Sequence, residues 1–253
     1  MRHGGWIWWL MLATVQAQDE PPAPRVTEAE LSVRYDVLDR GFDDEQSYRL
    51  DWLSARRGYN SYHGGVISQS RFGEAGQGME LGGHFPLDGR WSLFTEGGLG
   101  FSARFLPEWF AEAGAERRLA YGFGLRAGYR RTSYSSNRVD RLGLTGDRYW
   151  GAWRGAYTLN LTWLEGRDPV LGHHASLSYY PDDRSYWGVR VGLGEERELV
   201  SSARIVTTDT AAIGVFGRYW LAPRWALTWD LEAGRQGELY HRYGARLGVR
   251  HAF

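Results

Sequence analysis

Along most of this chain, apolar side chains recur at every second position. In the last fifteen residues Tyr243, Ala245, Leu247, Val249 and Phe253 take one parity, and Tyr240, Arg242, Gly244, Arg246, Gly248 and Arg250 take the other. A period of two places each set on one face of a β-strand and would scatter it around a helix. The same alternation carries Trp225–Ala233, Trp187–Leu193, Trp153–Trp163 and Tyr121–Tyr129, and shows less sharply around 31–38, 47–54, 62–71, 78–87, 91–101, 109–119, 139–150, 173–180 and 211–221. The pattern predicts an all-β fold of about fourteen strands, within a range of roughly twelve to sixteen.

Strand length and face content then choose the architecture. Soluble strands average about five or six residues and hide their apolar face. These stripes are nearly twice as long, which suits a tilted strand crossing a membrane. Their second face is rich in Arg, Glu, Asp and Gly and cannot close-pack as a core. A single antiparallel transmembrane β-barrel satisfies both faces, with apolar residues toward lipid and the polar set around a lumen. Trp91, Tyr121, Tyr129, Trp153, Trp163 and Trp225 end apolar stripes, where interfacial aromatic girdles belong.

The connections alternate as well. Tight turns are expected at Pro86–Arg90, Leu119–Gly122, Pro181–Arg184 and Leu221–Arg224, and looser loops at Arg40–Glu45, Ala103–Glu108, Ser133–Arg138, Gly166–Gly172 and Glu196–Asp209. Short periplasmic turns opposite longer external loops are the asymmetry of an outer-membrane barrel. Phe253 closes the last strand with an aromatic C-terminus, the kind of end that the outer-membrane barrel assembly machinery recognises.

The N-terminus reads as an export address. A basic start at Arg2 and His3 precedes the apolar run Trp6–Ala13, and Val15 and Ala17 stand where a signal peptidase expects small residues. Residues 1–17 are therefore expected to be a cleaved signal peptide. Residues 18–29, with Pro21, Pro22 and Pro24, form a periplasmic lead-in, and the barrel occupies 30–253. Localisation follows as the bacterial outer membrane, with its lipids as the surrounding partner.

Composition narrows the chemistry. Thirty Lys and Arg balance thirty Asp and Glu, which argues against a nucleic-acid partner. The chain has no Cys, so thiol catalysis and Cys-ligated metal are excluded. His63, His84, His241 and His251 stand singly, without metal-ligand spacing, and Gly122/Gly124 and Gly192/Gly194 lie inside strands rather than before a helix. No cofactor or metal site is expected.

Five groups of residues resemble a known family. Gly214–Leu221, Trp225–Gly237 and Tyr240–Gly244 look like the end of the YaiO family of outer-membrane proteins. Arg130–Tyr134, and Tyr179–Tyr180 before Gly194–Glu196, are similar to its middle. The resemblance spans roughly Arg34 to Phe253. It implies a barrel near this size, sometimes encoded beside polysaccharide-synthesis proteins, which become candidate partners. It implies no catalytic residues.

The inward parity collects charges of both signs. Arg126, Arg130, Arg154, Arg190, Arg218, Asp230, Glu232, Arg242, Arg246 and Arg250 are the candidate lumen-lining residues. Aligning Trp229 with Leu247 places Asp230 opposite Arg246 and Arg242 diagonal to Glu232, pairs worth about 0.2–1 kcal/mol each. Such residues either hold the wall together or select solutes by charge. Inward Phe94, Phe110, Tyr149, Tyr180, Tyr186, Phe216 and Tyr240 are candidates for stacking sugar rings. His174 and Ser176 share a strand face, the one arrangement suggestive of a hydrolase, but no acidic third member is evident.

Three functions remain open. The first is a transport channel or export pore, with an exopolysaccharide as the candidate cargo. The second is a structural or surface-adhesion barrel with a plugged lumen. The third, an outer-membrane lipid-modifying hydrolase, is the least expected, and the chain is read as no enzyme.

Overall fold

The structure is a computed structural model. It describes residues 25–253 except 57, 72, 102–104, 136, 166 and 202–203, and not the side chains of 196–207. The predicted signal peptide and most of the lead-in lie outside the described residues, as does the side chain of Glu196.

Fourteen antiparallel strands close into one barrel. In chain order they are β1 (Val26–Leu38), β2 (Glu45–Ala55), β3 (Ser61–Arg71), β4 (Glu74–Pro86), β5 (Trp91–Phe101), β6 (Trp109–Arg118), β7 (Phe123–Ser133), β8 (Arg138–Trp150), β9 (Trp153–Leu164), β10 (Val170–Tyr179), β11 (Tyr186–Ser201), β12 (Arg204–Ala222), β13 (Trp225–Gln236) and β14 (Tyr240–Ala252). Each pairs with its chain neighbours, and β1 completes the ring against β14, from Glu28 beside Ala252 to Leu38 beside Arg242. The Phe253 N–H donates to the Thr27 carbonyl at 2.9 Å, so the C-terminus itself belongs to the seam.

The two parities take opposite faces throughout. Leu31, Val33, Leu50, Val66, Leu125, Leu193, Ile213 and Leu247 stand exposed on the outside, while Glu30, Asp36, Glu96, Arg130, Asp230 and Arg250 are buried from the outside inward. An outer surface this apolar requires lipid as its solvent. Two aromatic belts bound it. Trp91, Trp153, Trp187 and Trp225 lie at the strand ends nearest the termini, and Tyr35, Trp109, Tyr129 and Tyr243 lie toward the opposite rim.

The turns at the terminal end are tight for identifiable reasons. Asp88 Oδ1 accepts the N–H groups of Arg90 and Trp91, both at 2.6 Å, and Asp182 Oδ1 accepts those of Arg184 and Ser185 at 2.7 and 2.6 Å. The Trp91 and Arg90 N–H groups hold the Asp88 carboxyl below the ordinary aspartate range. Gly151, at φ +56°, lets residues 151–152 alone connect β8 to β9.

Three expectations change. β1 starts at Val26, so the barrel begins before residue 30. The segment Glu196–Asp209 is no loose loop: β11 and β12 continue through it, paired from Glu196 beside Thr208 to Ser201 beside Arg204. Neither strand has a second neighbour there, because β11 pairs with β10 only as far as Gly194, and β12 with β13 only from Thr210. The result is a two-stranded ribbon standing beyond the barrel rim. Thirdly, the connections at that rim are not uniformly longer, since residues 72–73 and 237–239 are shorter than most turns opposite.

Leu247 sits mid-strand on the lipid face. Leu247→Arg should destabilise the folded barrel by about 2–4 kcal/mol, the cost of a cation near the bilayer midplane. A urea titration in lipid vesicles, read by heat-dependent gel mobility, measures it. Asp88→Asn should keep the fold, lower stability slightly near neutrality and flatten its loss at acid pH. The carboxylate form is the one the turn stabilises, so its contribution is present above an ordinary aspartate pKa of about 4 and lost below it.

Candidate functional site: a charged lumen

Within the barrel wall alternate residues of the strands point inward, and the barrel encloses a cavity of about 1250 Å³. Its lining includes residues of both ends: Ala55, Asp88 and Trp91 on the turn side, and Gln69, Pro107 and Asn137 beside the opposite connections.

The register would leave like charges side by side. Arg34 faces Arg246, Glu96 faces Glu112, and Arg130 faces Arg141 on adjacent strands. Arginine length resolves the conflict by reaching past the immediate neighbour. Arg130 bridges Glu96 and Glu112 at 3.5 and 3.4 Å, and Arg141 extends to Glu112 at 3.5 Å. Across the seam, Arg246 and Arg250 both hold Glu30 at 2.7 Å, and Arg250 also reaches Glu28 at 2.9 Å. Arg49 sits between Asp51, at 2.6 Å, and Glu80.

Strand register places Asp230 opposite Arg246, as the sequence predicts, yet these two are not the ion pair. Asp230 and Glu232 instead take the guanidinium of Arg190, at 2.8 and 2.6 Å, from two strands away. Arg190 gets there by crossing Gly214 on β12, where a Cβ would lie 3.0 Å from the guanidinium carbon. Arg242 likewise pairs with Glu45 and Asp36 rather than diagonally with Glu232.

Eight of the ten lining candidates border the cavity: Arg126, Arg130, Arg190, Asp230, Glu232, Arg242, Arg246 and Arg250. Arg154 and Arg218 point inward but do not line it. Arg154 is drawn to Asp147 at 3.1 Å, and Arg218 donates to the Arg184 carbonyl at 3.0 Å and lies over the Tyr186 ring. Sequence reasoning missed Arg34, Arg49 and Arg141 as bordering residues, although the first two carried the inward parity; Arg141 follows from the same parity in β8.

The ring-stacking expectation fails. None of Phe94, Phe110, Tyr149, Tyr180, Tyr186, Phe216 and Tyr240 borders the cavity. Their faces are taken by the protein: Arg126 lies 3.6 Å over Phe94, and Arg130 lies 3.7 Å over Phe110. Phe94 itself spreads over Gly114 and Gly128, so the rings are wall filling under a layer of guanidinium.

His174 and Ser176 do face the same way, toward the cavity. The residues directly across are Thr158 and Gly192 for His174, and Ala156 and Arg190 for Ser176, with no carboxylate among them. Their inward position also removes them from lipid acyl chains on the outer surface.

A closed, lipid-facing barrel with a charged, water-accessible interior defines an outer-membrane β-barrel protein. Its sequence matches the family described as the YaiO membrane beta barrel domain over residues 26–199, and the chain belongs to that family. The match ends before the C-terminal segments that also resemble the family. No curated protein matches the chain. Among solved structures it is similar to a bacterial polysaccharide outer membrane secretin, with TM-score 0.57 and 10% identity over 90% of this chain and 98% of that one. It is also similar to Omp33 of Acinetobacter baumannii, with TM-score 0.54 and 12% identity over 90% and 99%. An anion-selective porin from Comamonas acidovorans gives 0.51 and 11% over 91% and 99%. Identities this low establish the shared barrel alone.

The ion pairs differ in how much stability they carry. Glu30→Gln leaves Arg246 without its buried counter-charge and Arg250 with Glu28 alone, and should cost about 3 kcal/mol. Arg131→Ala breaks the exposed outer-face pair with Asp140 and should cost no more than about 1 kcal/mol. Urea midpoints of the two variants, measured side by side, test the contrast.

Proposed function

We propose that this barrel is a passive outer-membrane channel for hydrophilic solutes. The observation that carries the reading is a cavity bordered by residues of both rims, lined with charged and hydroxyl side chains that water and polar solutes can wet. Fourteen strands give a circumference wide enough to leave such a space inside the wall.

An exopolysaccharide as cargo is the finer proposal. Its support is the family resemblance and a stretch of wall rich in hydroxyl and amide groups, namely Thr145, Thr158, Asn160, Thr162 and Ser176. Aromatic stacking plays no part in it. An export route would need separate periplasmic and inner-membrane polysaccharide-synthesis proteins.

Purified protein inserted into planar bilayers should give discrete, ohmic conductance steps. A deletion strain should show altered secreted or surface glycan if polysaccharide is the cargo. Silent bilayers, together with unchanged glycan, would leave the structural role in place of the channel.

A further inference from the structure

The lumen holds acidic and basic residues in similar measure, but they do not reach equally far into it. In most of the ion pairs the carboxylate lies against the wall and the guanidinium ends nearer the water. The Arg246 side chain is 21% exposed and its partner Glu30 only 3%. Arg34 is 25% exposed and its partner Asp36 5%; Arg242, which also holds Asp36, stands at 19%. Asp51, at 25%, and Glu112, at 16% beside Arg130 at 10%, are the more open acids; Arg49 covers Asp51 from 2.6 Å while being 28% exposed itself, and Arg126 and Arg141, at 21% and 35%, stand more open than Glu112.

Side-chain length explains the ordering. Glutamate and aspartate end two or three bonds from the backbone, and arginine ends five bonds out. A balanced set of pairs on a concave wall therefore forms a double layer, negative behind and positive in front. A solute in the bore feels the nearer layer more strongly, because Coulomb energy falls with distance and water screens what lies behind.

Arg141 stands most open to the bore. It is the most exposed of these arginines, at 35%, and its carboxylate is Glu112 at 3.5 Å. Glu112 also serves Arg130 at 3.4 Å and Arg126 at 4.0 Å, so three guanidiniums share that one acid, with Glu116 and Glu96 completing the cluster. His63 and His84 approach Glu96 and Glu116 at 3.4 and 3.7 Å and add no negative charge.

Beside Arg141 the wall changes character. β8 to β10 present Thr145, Thr158, Asn160, Thr162 and Ser176 to the cavity, uncharged donors and acceptors between inward Gly143 and Gly172. Thr145 and Thr158 bond each other at 2.8 Å. The bore thus has guanidiniums along one side and a neutral hydroxyl and amide strip along the other.

We infer that the lumen selects polyhydroxylated organic anions, the sugar carboxylates, with the guanidinium layer drawing the carboxylate and the neutral strip exchanging hydrogen bonds with hydroxyls. The inference rests on the channel reading. Arginine is suited to carboxylate because its planar fork can bond both oxygens.

The test uses the full barrel in bilayers and liposomes. Under a potassium chloride gradient the reversal potential should report chloride passing more readily than potassium. In liposome swelling, sodium glucuronate should enter several-fold faster than glucose, which is nearly the same size. Arg141→Glu should move the reversal potential toward the cation side and slow glucuronate relative to glucose. Arg131→Gln, on the outer face, should change neither. Heat-dependent gel mobility verifies folding of both variants, and the wild-type measurements decide the matter should Arg141→Glu not fold. Open channels with chloride no more permeant than potassium, or with glucuronate no faster than glucose, overturn the selectivity and leave the channel standing. Absence of any conductance overturns the channel and the selectivity with it.

Discussion

In the hydrocarbon layer of a membrane no water is available to an unpaired backbone N–H or carbonyl, and that scarcity governs this molecule. A sheet in lipid must have no edge, which only closure provides. β1 meeting β14 over their full length, with Phe253 bonded to Thr27, is how this chain meets the condition. Closure fixes the rest. Each strand now has one face in lipid and one in the lumen, so the sequence must alternate, and its polar half is committed to the interior.

That commitment creates the electrostatic problem the lumen solves. Adjacent inward positions repeatedly bring like charges together, as at Glu96 and Glu112 or Arg34 and Arg246. Small inward residues between them permit the solution. Arginine can lie along the wall and reach a carboxylate one or two strands away, so rungs such as Glu112–Arg130 and Glu116–Arg126 are joined by longer links into a web around the barrel. Cross-strand neighbours in register are not always the partners in space, and a hairpin considered by itself gives the wrong pair for Asp230.

The strands were readable from the sequence because lipid imposes a sharp contrast between faces. Trp225 to Ala233 and Tyr243 to Val249 alternate with little interruption, and they are found as β13 and β14. Where both faces are wet the contrast disappears although the hydrogen-bond ladder continues. That is why Glu196 to Asp209, which carries charged and β-branched residues without an apolar stripe, reads as a loop and is a ribbon. The inward parity of Arg126, Arg190 and Arg246 was legible for the same reason as the strands. Whether an inward residue borders water depends on what its neighbours two strands away do. Parity therefore could not separate Arg246 from Arg154, or expose the guanidinium roof over Phe94.

Gly214 shows where such a barrel keeps its calibre. A glycine on the inner wall is a recess, and Arg190 lies in it rather than across the open bore. Gly114 and Gly128 give Phe94 the same accommodation. Strand number fixes the outer circumference, but the free passage is what remains after long side chains have been stowed. In this architecture evolution can widen or narrow the aperture one residue at a time, by adding or removing places to stow them, while the lipid-facing cylinder stays the same.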